Sequence, residues 1–447
     1  MSSLKKIYIC SKCDAQFPKW SGRCLGCGAW STLSEQVISS NQTKTPNKLS
    51  LNKNNLINFS DIKNQTIPRL KTQITELDSV LGGGIVSGSL ILLGGEPGIG
   101  KSTLALQIIK NLAGQKLNIL YISGEESPDQ IKLRADRLNW QDENLNLLQE
   151  TKLEQIIAAI EELDCDLIVI DSIQTIYSEE IAGEPGNITQ IRACSVKLLE
   201  TAKKTKTSVI ITGHVTKDGA VAGPKTLEHL VDVVIYLEGD RFHDLRILRS
   251  VKNRFGSTNE IGLFEMTATG LKEVTNPSSA FFDQSTANQA GTALSCFIEG
   301  SRPFLTEVQA LATTTIFGYP QRKVSGYDLN RLQMLTAVIG KRTNLNLTNK
   351  DIHLNIVGGY KTKETALDLA VVSAIISSTK NIALNSKTIY IGEVGLGGEV
   401  RPVSQMEKRL REAEKLSFTS AVIPKLKTKP ATKLLLIEIS NISELKI

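Results

Sequence analysis

Residues 89–103 read Ser-Leu-Ile-Leu-Leu-Gly-Gly-Glu-Pro-Gly-Ile-Gly-Lys-Ser-Thr, an apolar run that leads into a glycine-rich turn and a lysine. The turn matches the pattern G-x-x-x-x-G-K-[ST], whose backbone N–H groups wrap phosphates at a helix N-terminus. Residues 89–93 predict a strand before the turn, and residues 101 to about 112 predict a helix after it. This context predicts an α/β domain that binds ATP. The residues predicted to bind it are Gly95, Glu96, Pro97, Gly98, Ile99, Gly100, Lys101, Ser102 and Thr103.

The magnesium ion that accompanies a bound nucleotide needs oxygen ligands beside the glycine-rich turn. Lys101 is expected to reach the β- and γ-phosphates, and the Ser102 hydroxyl is expected to ligate Mg²⁺. The apolar run 167–170 ends in Asp171, which predicts a strand with a carboxylate at its C-terminal edge. We therefore predict that Asp171 holds the metal from a neighbouring strand.

A pair of glutamates follows another predicted strand, residues 118–122. Glu125 and Glu126 would lie at the edge where ligands collect in parallel α/β sheets. A carboxylate there can polarise the attacking water, and we choose Glu125 over Glu126 as this general base. The alternative, that one or both are charges at a helix N-terminus, stays open.

The pattern of apolar runs and amphipathic segments also predicts the domains. Short apolar strands separated by helical stretches are typical of a parallel sheet covered on both faces. We predict an ATPase domain over residues 67–275 and a second, α+β domain over 276–447. Polar tracts mark the boundaries, and residues 34–66 are predicted to be a flexible linker after a small module at 1–33.

Four of the seven cysteines lie in the first 27 residues, as two C-x-x-C pairs. Two such knuckles predict a closed, tetrahedral Zn²⁺ site with a structural role. A module of this size has too little apolar core to fold alone, and the metal supplies the missing stability. The predicted zinc ligands are Cys10, Cys13, Cys24 and Cys27.

Basic and aromatic side chains surround these cysteines, and two interpretations stay open. Phosphate contact and base stacking would bind single-stranded nucleic acid. Alternatively, the aromatic residues are simply the small core of the module. The residues concerned are Lys12, Lys19, Arg23, Phe17, Trp20 and Trp30.

The charge is concentrated in the N-terminal segment. The chain carries 52 Lys and Arg against 46 Asp and Glu, a formal charge of +6. Residues 1–70 hold ten of those cations and three of the acids, so the rest of the chain is close to neutral. A basic segment suits a polyanionic partner. Because no stretch of 18 apolar residues and no signal peptide is found, we expect a cytoplasmic protein without membrane spans.

Besides the four-cysteine module, the chain contains six further motifs: Leu-Asp-Ser-Val-Leu-Gly-Gly-Gly (77–84), the glycine-rich turn (95–103), Ser-Gly-Glu-Glu-Ser (123–127), Val-Ile-Asp-Ser-Ile-Gln-Thr (169–175), Gly-His-Val-Thr-Lys (213–217) and Lys-Asn-Arg-Phe-Gly (252–256). Together these motifs resemble the RadA family, also called Sms, of bacterial DNA repair proteins. The resemblance covers nearly the whole chain, and the combination of Lys-Asn-Arg-Phe-Gly with the zinc module is specific. It implies a RecA-like ATPase core that assembles as a ring, taken as a hexamer, on single-stranded DNA. It also implies branch migration of recombination intermediates and a RecA-type recombinase as partner.

The resemblance assigns roles to the acids and to a histidine. Asp171 becomes the Walker B acid and Glu125 the catalytic glutamate. His214 takes the position of a γ-phosphate sensor at the head of a DNA-contacting loop, about 214–230, which contains Lys217 and Lys225. An earlier loop, about 177–190, is the second expected DNA contact.

The motif Lys-Asn-Arg-Phe-Gly supplies the cations that a ring ATPase needs at a subunit seam. A cation from the neighbouring subunit stabilises the charge that develops on the γ-phosphate. The planar guanidinium of Arg254 matches phosphate oxygens, so Arg254 is the predicted catalytic cation and Lys252 assists it. A solvated basic turn is the plainer alternative.

The C-terminal domain resembles the proteolytic domain of Lon-type proteases, but it departs from the Ser–Lys pair that such an enzyme requires. The resemblance puts Ala366 at the nucleophile position and Glu407 at the lysine position. We therefore expect no peptidase activity. The domain is expected to hold a ring together and to offer a basic surface to duplex DNA. That surface would include Arg322, Lys323 and Arg331, with ordinary solvated charge as the alternative.

Two other functions are alternatives to a DNA motor. An ATP-dependent protease is disfavoured by Ala366 and Glu407. A phosphorylation-dependent scaffold of the KaiC kind shares the RecA-like core and the paired glutamates. It is disfavoured by the zinc module and by the single ATPase copy.

Overall fold

The computed structural model divides the chain into two compact units, residues 1–66 and 67–447. The described residues are 4–11, 16–39, 68–115, 117–140, 145–214, 227–239, 245–274, 289–316, 318–357 and 362–447. Most of the predicted linker and the predicted boundary at 275/276 lie outside these ranges, so the domain limits given above stay predictions. None of the helices described is long and apolar enough to cross a membrane.

The first unit is a small antiparallel sheet with a cysteine-containing turn. Its strands pair in the order β2-β1-β3, and Cys10 ends β1 opposite Leu33. A bridge between Arg23 and Trp30 closes the turn that carries Cys24. The strands are β1 (Leu4–Cys10), β2 (Gln16–Phe17) and β3 (Leu33–Ser39).

The second unit contains two large sheets with helices packed on them. Its strands are β4 (Arg69–Leu70), β5 (Ile85–Val86), β6 (Leu90–Gly95), β7 (Ile119–Ser123), β8 (Asn146–Gln149), β9 (Leu167–Asp171), β10 (Ser208–His214), β11 (Val233–Gly239), β12 (Leu245–Asn253), β13 (Ile261–Thr267), β14 (Gly270–Glu273), β15 (Thr292–Glu299), β16 (Arg302–Thr314), β17 (Arg322–Ser325), β18 (Lys350–Ile356), β19 (Thr388–Tyr390), β20 (Glu393–Val394), β21 (Val400–Arg401), β22 (Ser420–Pro424) and β23 (Leu435–Ile439). Its helices are α1 (Thr75–Val80), α2 (Lys101–Ala113), α3 (Pro128–Arg137), α4 (Leu153–Leu163), α5 (Ile188–Thr205), α6 (Leu329–Arg342), α7 (Asp368–Lys380) and α8 (Met406–Lys415).

The ATPase sheet has nine strands in the order β14-β13-β12-β11-β6-β10-β9-β7-β8. Strands β11, β6, β10, β9, β7 and β8 are parallel. The predicted parallel sheet is therefore confirmed, whereas the short, part-exposed edge strand β8 was not predicted. Strands β12, β13 and β14 are antiparallel and extend one side of the sheet. This antiparallel side was not predicted, because β12 alternates buried with part-exposed residues instead of forming an apolar run.

Alternating side chains of the central strands feed two separate cores. On β6, Ile91 and Leu93 face the core that contains α2, while Leu90 and Leu92 face the core that contains α4 and α5. Burial on both faces is what a parallel strand in a layered α/β domain requires. Helix α3 starts with a capping box, since Ser127 accepts from the Gln130 N–H while the Gln130 side chain accepts from the Ser127 N–H.

The C-terminal sheet has seven strands in the order β17-β18-β16-β15-β19-β22-β23 and mixes parallel with antiparallel pairs. Helices α6 and α7 cover one face, and α8 covers the other. A buried helix, α7, begins at Asp368 directly after a 3₁₀ turn at Thr365–Leu367. The chain therefore has the mixed α/β architecture that was predicted, with an α+β C-terminal part.

The turn between β15 and β16 docks on the antiparallel side of the ATPase sheet. Arg249 pairs with Glu299 at 2.5 Å, and Arg302 pairs with Glu76 at 2.7 Å. Apolar residues of β13, such as Ile261, belong to the core under α6 and α7. The second unit is therefore continuous from the ATPase sheet to the C-terminal sheet.

Candidate nucleotide site and metal centre

The glycine-rich turn connects β6 to α2 and holds the lysine in place. Gly100 has φ +116°, a backbone conformation that residues with a Cβ rarely adopt, so this position favours glycine. The buried Lys101 Nζ donates to the carbonyl oxygens of Gly95 at 3.1 Å and Glu96 at 3.0 Å. These contacts keep the ammonium group inside the turn, where a phosphate would bind.

Lys101 is buried, and this changes its titration. Desolvation lowers its pKa to about 8, while the nearby carboxylates of Asp171 and Glu125 raise it in part. A bound polyphosphate would add negative charge and favour the protonated form. The site is therefore poised to gain stability from an anionic ligand.

Asp171 ends β9 and is fixed by two neighbouring strands. Its two carboxylate oxygens accept hydrogen bonds from the Tyr121 hydroxyl at 2.7 Å and from the Thr212 hydroxyl at 2.6 Å. Burial and the adjacent Asp171 raise the pKa of Tyr121, so its hydroxyl stays a donor. Asp171 is thus held at the sheet edge beside the glycine-rich turn, where the predicted metal would lie.

The two glutamates after β7 have different partners. Glu125 accepts a hydrogen bond from the Ser172 hydroxyl at 2.7 Å, whereas Glu126 pairs with Arg134 at 2.5 Å. An added Cβ at Gly124 would lie 2.0 Å from the Thr175 hydroxyl, so the chain passes close to the residues after β9. A carboxylate held by a neutral hydroxyl suits a base better than one neutralised by an arginine. The geometry therefore favours Glu125.

His214 ends β10 and lies opposite Gly95 in the parallel register. Its Nδ1 is 3.0 Å from Lys101 Nζ. Burial and the charge of Lys101 lower the pKa of His214. The imidazole is therefore neutral at pH 7, and its nitrogen can accept a hydrogen bond from the ammonium group.

These predicted residues line one cleft of about 430 Å³. The cleft brings together the phosphate-binding turn and the predicted catalytic and metal-binding acids. Its lining residues are Gly98, Gly100, Lys101, Ser102, Thr103, Glu125, Glu126, Arg134, Arg137, Asp171, His214, Arg246 and Met266.

Three arginines of the cleft were missed from the sequence. Arg134 and Arg137 are three residues apart on α3, so they share a helix face, and this spacing was the available signal. Arg246 comes from β12, whose antiparallel pairing with β11 brings it to the cleft. Such a contact has no signal in local sequence.

Lys252 and Arg254 lie at the other edge of the sheet. Asn253 pairs with Val233 at the start of β11, whereas Gly95 pairs with Leu237 further along the same strand. Lys252 Nζ donates to the carbonyl oxygen of Glu228 at 2.8 Å. These two cations are therefore not brought to the cleft of their own subunit.

The predicted DNA loops are described only in part. Lys217 and Lys225 lie outside the described residues. In the loop 177–190 the charged side chains are carboxylates, and two of them, Glu179 and Glu180, pair with lysines outside the loop. These acids disfavour phosphate contacts, so the structure lends this second predicted loop no support.

Three of the four predicted zinc ligands form a cluster, and Cys13 lies outside the described residues. The Sγ atoms of Cys10, Cys24 and Cys27 lie within 4.8 Å of one another. The Cys10 and Cys27 sulfurs are 3.7 Å apart. Tetrahedral Zn–S bonds of about 2.3 Å require sulfurs about 3.8 Å apart. The Gly26 N–H also donates to the Cys24 sulfur at 3.3 Å, as in a thiolate knuckle. These residues fit a structural zinc ion.

The aromatic residues of this module are not a buried core. Trp20 is 63% exposed and Trp30 is 71% exposed. Phe17 and its strand partner Tyr8 are half-buried. Of the two interpretations of these tryptophans, the small core is therefore wrong.

The C-terminal positions aligned with a protease pair do not form one. Ala366 is buried in a 3₁₀ turn, and the exposed Glu407 pairs with Arg411 at 3.8 Å. Lys408, the residue directly after Glu407, donates to the carbonyl oxygen of Ser301 at 3.4 Å.

Two of the three cations predicted as a basic surface have structural roles. Arg331 pairs with the buried Asp368, which also accepts from Tyr327. Arg322 donates to backbone carbonyls, including that of Leu347. Lys323 is exposed. The basic surface is therefore smaller than the sequence suggested.

Comparisons with known proteins find matches to three family models and to several relatives. A family model described as an AAA domain matches residues 58–220, one for subunit ChlI of Mg-chelatase matches 307–427, and one for a rubredoxin metal binding domain matches 8–35. The chain is 48% identical to the DNA repair protein RadA of Bacillus subtilis, over 95% of this chain and 93% of that protein. It is 46% identical to the protein of the same name from Halalkalibacterium halodurans, over 95% and 93%. The protein of that name from Rickettsia felis is 47% identical, over 95% of both chains.

Proposed function

Since this chain belongs to the RadA family of DNA repair proteins, we propose that it is an ATP hydrolase that works on DNA. In this proposal a ring of subunits, taken as a hexamer, binds single-stranded DNA and uses ATP hydrolysis to drive branch migration of recombination intermediates. A RecA-type recombinase is the proposed partner, and the cytoplasm the proposed location. The observation that carries the proposal is the cleft where Lys101, Asp171, Glu125 and His214 meet.

The cleft supports hydrolysis through a division of roles. The turn from Gly95 to Thr103 binds the phosphates, and Lys101 neutralises the charge of the β- and γ-phosphates. Ser102 and Asp171 would hold Mg²⁺, which when bound offsets the charge of the phosphate oxygens. Glu125 orients and deprotonates the attacking water, while His214 senses the γ-phosphate through its contact with Lys101.

In this proposal the cleft of one subunit needs a cation from a neighbouring subunit. Arg254 is half-exposed, and its guanidinium contacts Asp232 at 3.4 Å. Lys252 and Arg254 lie away from their own cleft, so they are available to the cleft of the adjacent subunit. Arg254 would stabilise the transition state there, and Lys252 would assist.

The C-terminal domain is proposed to be a scaffold without peptidase activity. Ala366 has no nucleophilic atom, and Glu407 carries the wrong charge for a general-base lysine. Its contacts with the ATPase sheet through Glu299 and Arg302 would couple ring assembly to the ATPase part.

The proposal is tested by measuring ATP hydrolysis with increasing single-stranded DNA at several salt concentrations. We expect stimulation that weakens with salt, because phosphate contacts release counterions. The Lys101→Ala variant is the control that removes nucleotide turnover. A wild-type protein that hydrolyses ATP at the same rate with and without DNA, across the salt range, would contradict the proposal.

A further inference from the structure

We propose that Trp20 and Trp30 form a stacking platform for the unpaired bases of single-stranded DNA. The inference rests on the proposed function, since it names the part of the chain that holds the strand. The platform consists of Trp20, Trp30 and the two neighbouring cations, Lys19 and Arg23.

The two indoles are brought together by the turn that carries the zinc ligands. The bridge between Arg23 and Trp30 places Trp30 beside the chain that leads to Trp20. An added Cβ at Gly22 would lie 3.8 Å from the Trp30 ring and 4.0 Å from the Trp20 ring. Both rings therefore flank the same glycine. The short turn between Trp20 and Trp30 holds the two rings near each other.

The rings are presented to solvent on a fixed support. Exposed fractions of 63% for Trp20 and 71% for Trp30 are unusual for the largest apolar side chain. Grouped exposed aromatic residues mark binding surfaces. The Arg23 guanidinium lies 5.9 Å from the Trp30 ring centre, and Arg23 Nε donates to the Gly28 carbonyl at 2.9 Å. Trp30 is thus supported by a side chain that is itself anchored.

The charge around the rings selects the ligand. Lys19 and Arg23 are exposed, and residues 16–33 contain no aspartate or glutamate. This combination of cations and indoles matches a phosphate backbone with stackable bases. In a duplex the base faces are covered by their neighbours, so the platform favours single strands. An acidic protein partner would use the cations but would gain little from two adjacent indole planes.

The chain allows a direct optical test, because it contains three tryptophans. The third, Trp140, is 5% exposed, and among the described residues its indole nitrogen has no hydrogen-bond partner, so Trp140→Phe breaks no hydrogen bond of the described structure. In the full-length Trp140→Phe protein, emission comes from Trp20 and Trp30 alone. We expect oligo(dT) to quench this emission, with the same Kd as the anisotropy of a fluorescein-labelled oligo(dT).

Substitutions then separate stacking from other contacts. Trp20→Ala and Trp30→Ala should each raise the Kd for oligo(dT) by about fivefold or more, and Phe at the same positions should restore most of the affinity. Leu25→Ala is the matched control, since Leu25 is 80% exposed on the same module but cannot stack. It should change the Kd less than twofold. Zinc content is measured for every variant, so that loss of the module is recognised.

The outcomes distinguish the inference from the function on which it rests. The platform is wrong and the function stands in one case. In that case single-stranded DNA binds and stimulates ATP hydrolysis, but the tryptophan variants bind it with unchanged Kd and the emission of the Trp140→Phe protein is not quenched. An effect of Leu25→Ala as large as that of the tryptophans would indicate an apolar protein-docking surface and would also overturn the inference. If the wild-type protein binds no oligo(dT), both fail.

Discussion

The Nδ1 atom of His214 lies 3.0 Å from the Nζ atom of Lys101. His214 is the last residue of β10, and the predicted DNA-contacting loop follows it directly. Lys101 is the cation of the phosphate-binding turn. The pair therefore joins the predicted nucleotide site to the predicted DNA contact through a single hydrogen bond, which gives a physical route for mutual coupling.

His214→Ala should separate ATP binding from its response to DNA. We expect Kd for ATP to change only a few-fold, because Lys101 keeps its contacts with Gly95 and Glu96. The stimulation of hydrolysis by single-stranded DNA should be largely lost. Steady-state ATPase rates with and without DNA check this, with His353→Ala, in the C-terminal sheet, as the control. Full stimulation in His214→Ala would show that the coupling runs elsewhere.

Glu125→Gln and Glu126→Gln should have unequal effects. Glu125→Gln removes the proposed base and should lower kcat by about 10²-fold or more, with ATP binding retained. Glu126→Gln weakens the pair with Arg134 and should change kcat much less. Single-turnover hydrolysis together with ATP binding measures both. Equal losses of kcat, or a larger loss for Glu126→Gln, would reverse the assignment.

ATP affinity should fall as the pH rises above the pKa of Lys101, about 8 in the protein without ligand. The nucleotide binds the protonated lysine and raises its pKa, so binding takes up a proton above pH 8. Kd for ATP should therefore be roughly tenfold higher at pH 9 than at pH 7. Calorimetry in buffers of different ionisation enthalpy measures the uptake. Lys101→Arg is the control, and its weaker binding should not vary over this pH range.

Loss of the zinc site should be confined to the first unit. Cys27→Ala removes one thiolate of the cluster, and we expect loss of bound zinc and protease sensitivity near the N-terminus. ATP binding should be unchanged, because the nucleotide residues belong to the second unit. Zinc content, limited proteolysis and ATP titration give the three readouts. Cys165→Ala, a buried position on the ATPase side, is the control that keeps its zinc. Zinc retained at wild-type content in Cys27→Ala would contradict the four-cysteine site.

The elements that could be predicted are those with a local signature. The helix predicted from residue 101 runs over Lys101–Ala113, and the strand predicted at 167–170 runs over Leu167–Asp171. The meeting of Lys101 and Asp171 at one edge follows because the carboxyl ends of parallel strands share that edge.

What could not be predicted depends on contacts between distant strands. Tyr121 and Thr212 hold Asp171 from two different strands, and the local sequence does not show that their hydroxyls reach that carboxylate. The expected surface cation Arg331 is instead paired with Asp368, which lies 37 residues further along the chain. The sequence shows that a residue is charged, but it does not show whether that side chain is buried or which residue it pairs with.

Arg254 is the residue on which the whole account depends. Its contact with Asp232, whose carboxylate also accepts from the Leu90 N–H, anchors it at the start of β6, across the sheet from the cleft. Arg254 therefore lies away from the cleft of its own subunit. Arg254→Ala alone should lower ATP turnover by about 10³-fold if a neighbour's cleft depends on it.

The most direct test mixes two inactive proteins. Lys101→Ala lacks the phosphate cation but keeps Arg254, and Arg254→Ala has the reverse defect. The two variants are co-expressed with different tags, and rings that carry both are purified. In such rings some seams join an intact cleft to an intact Arg254, and these seams should hydrolyse ATP. Each variant alone should not. Mixed rings that contain both subunits yet remain as inactive as Arg254→Ala alone would contradict the shared site.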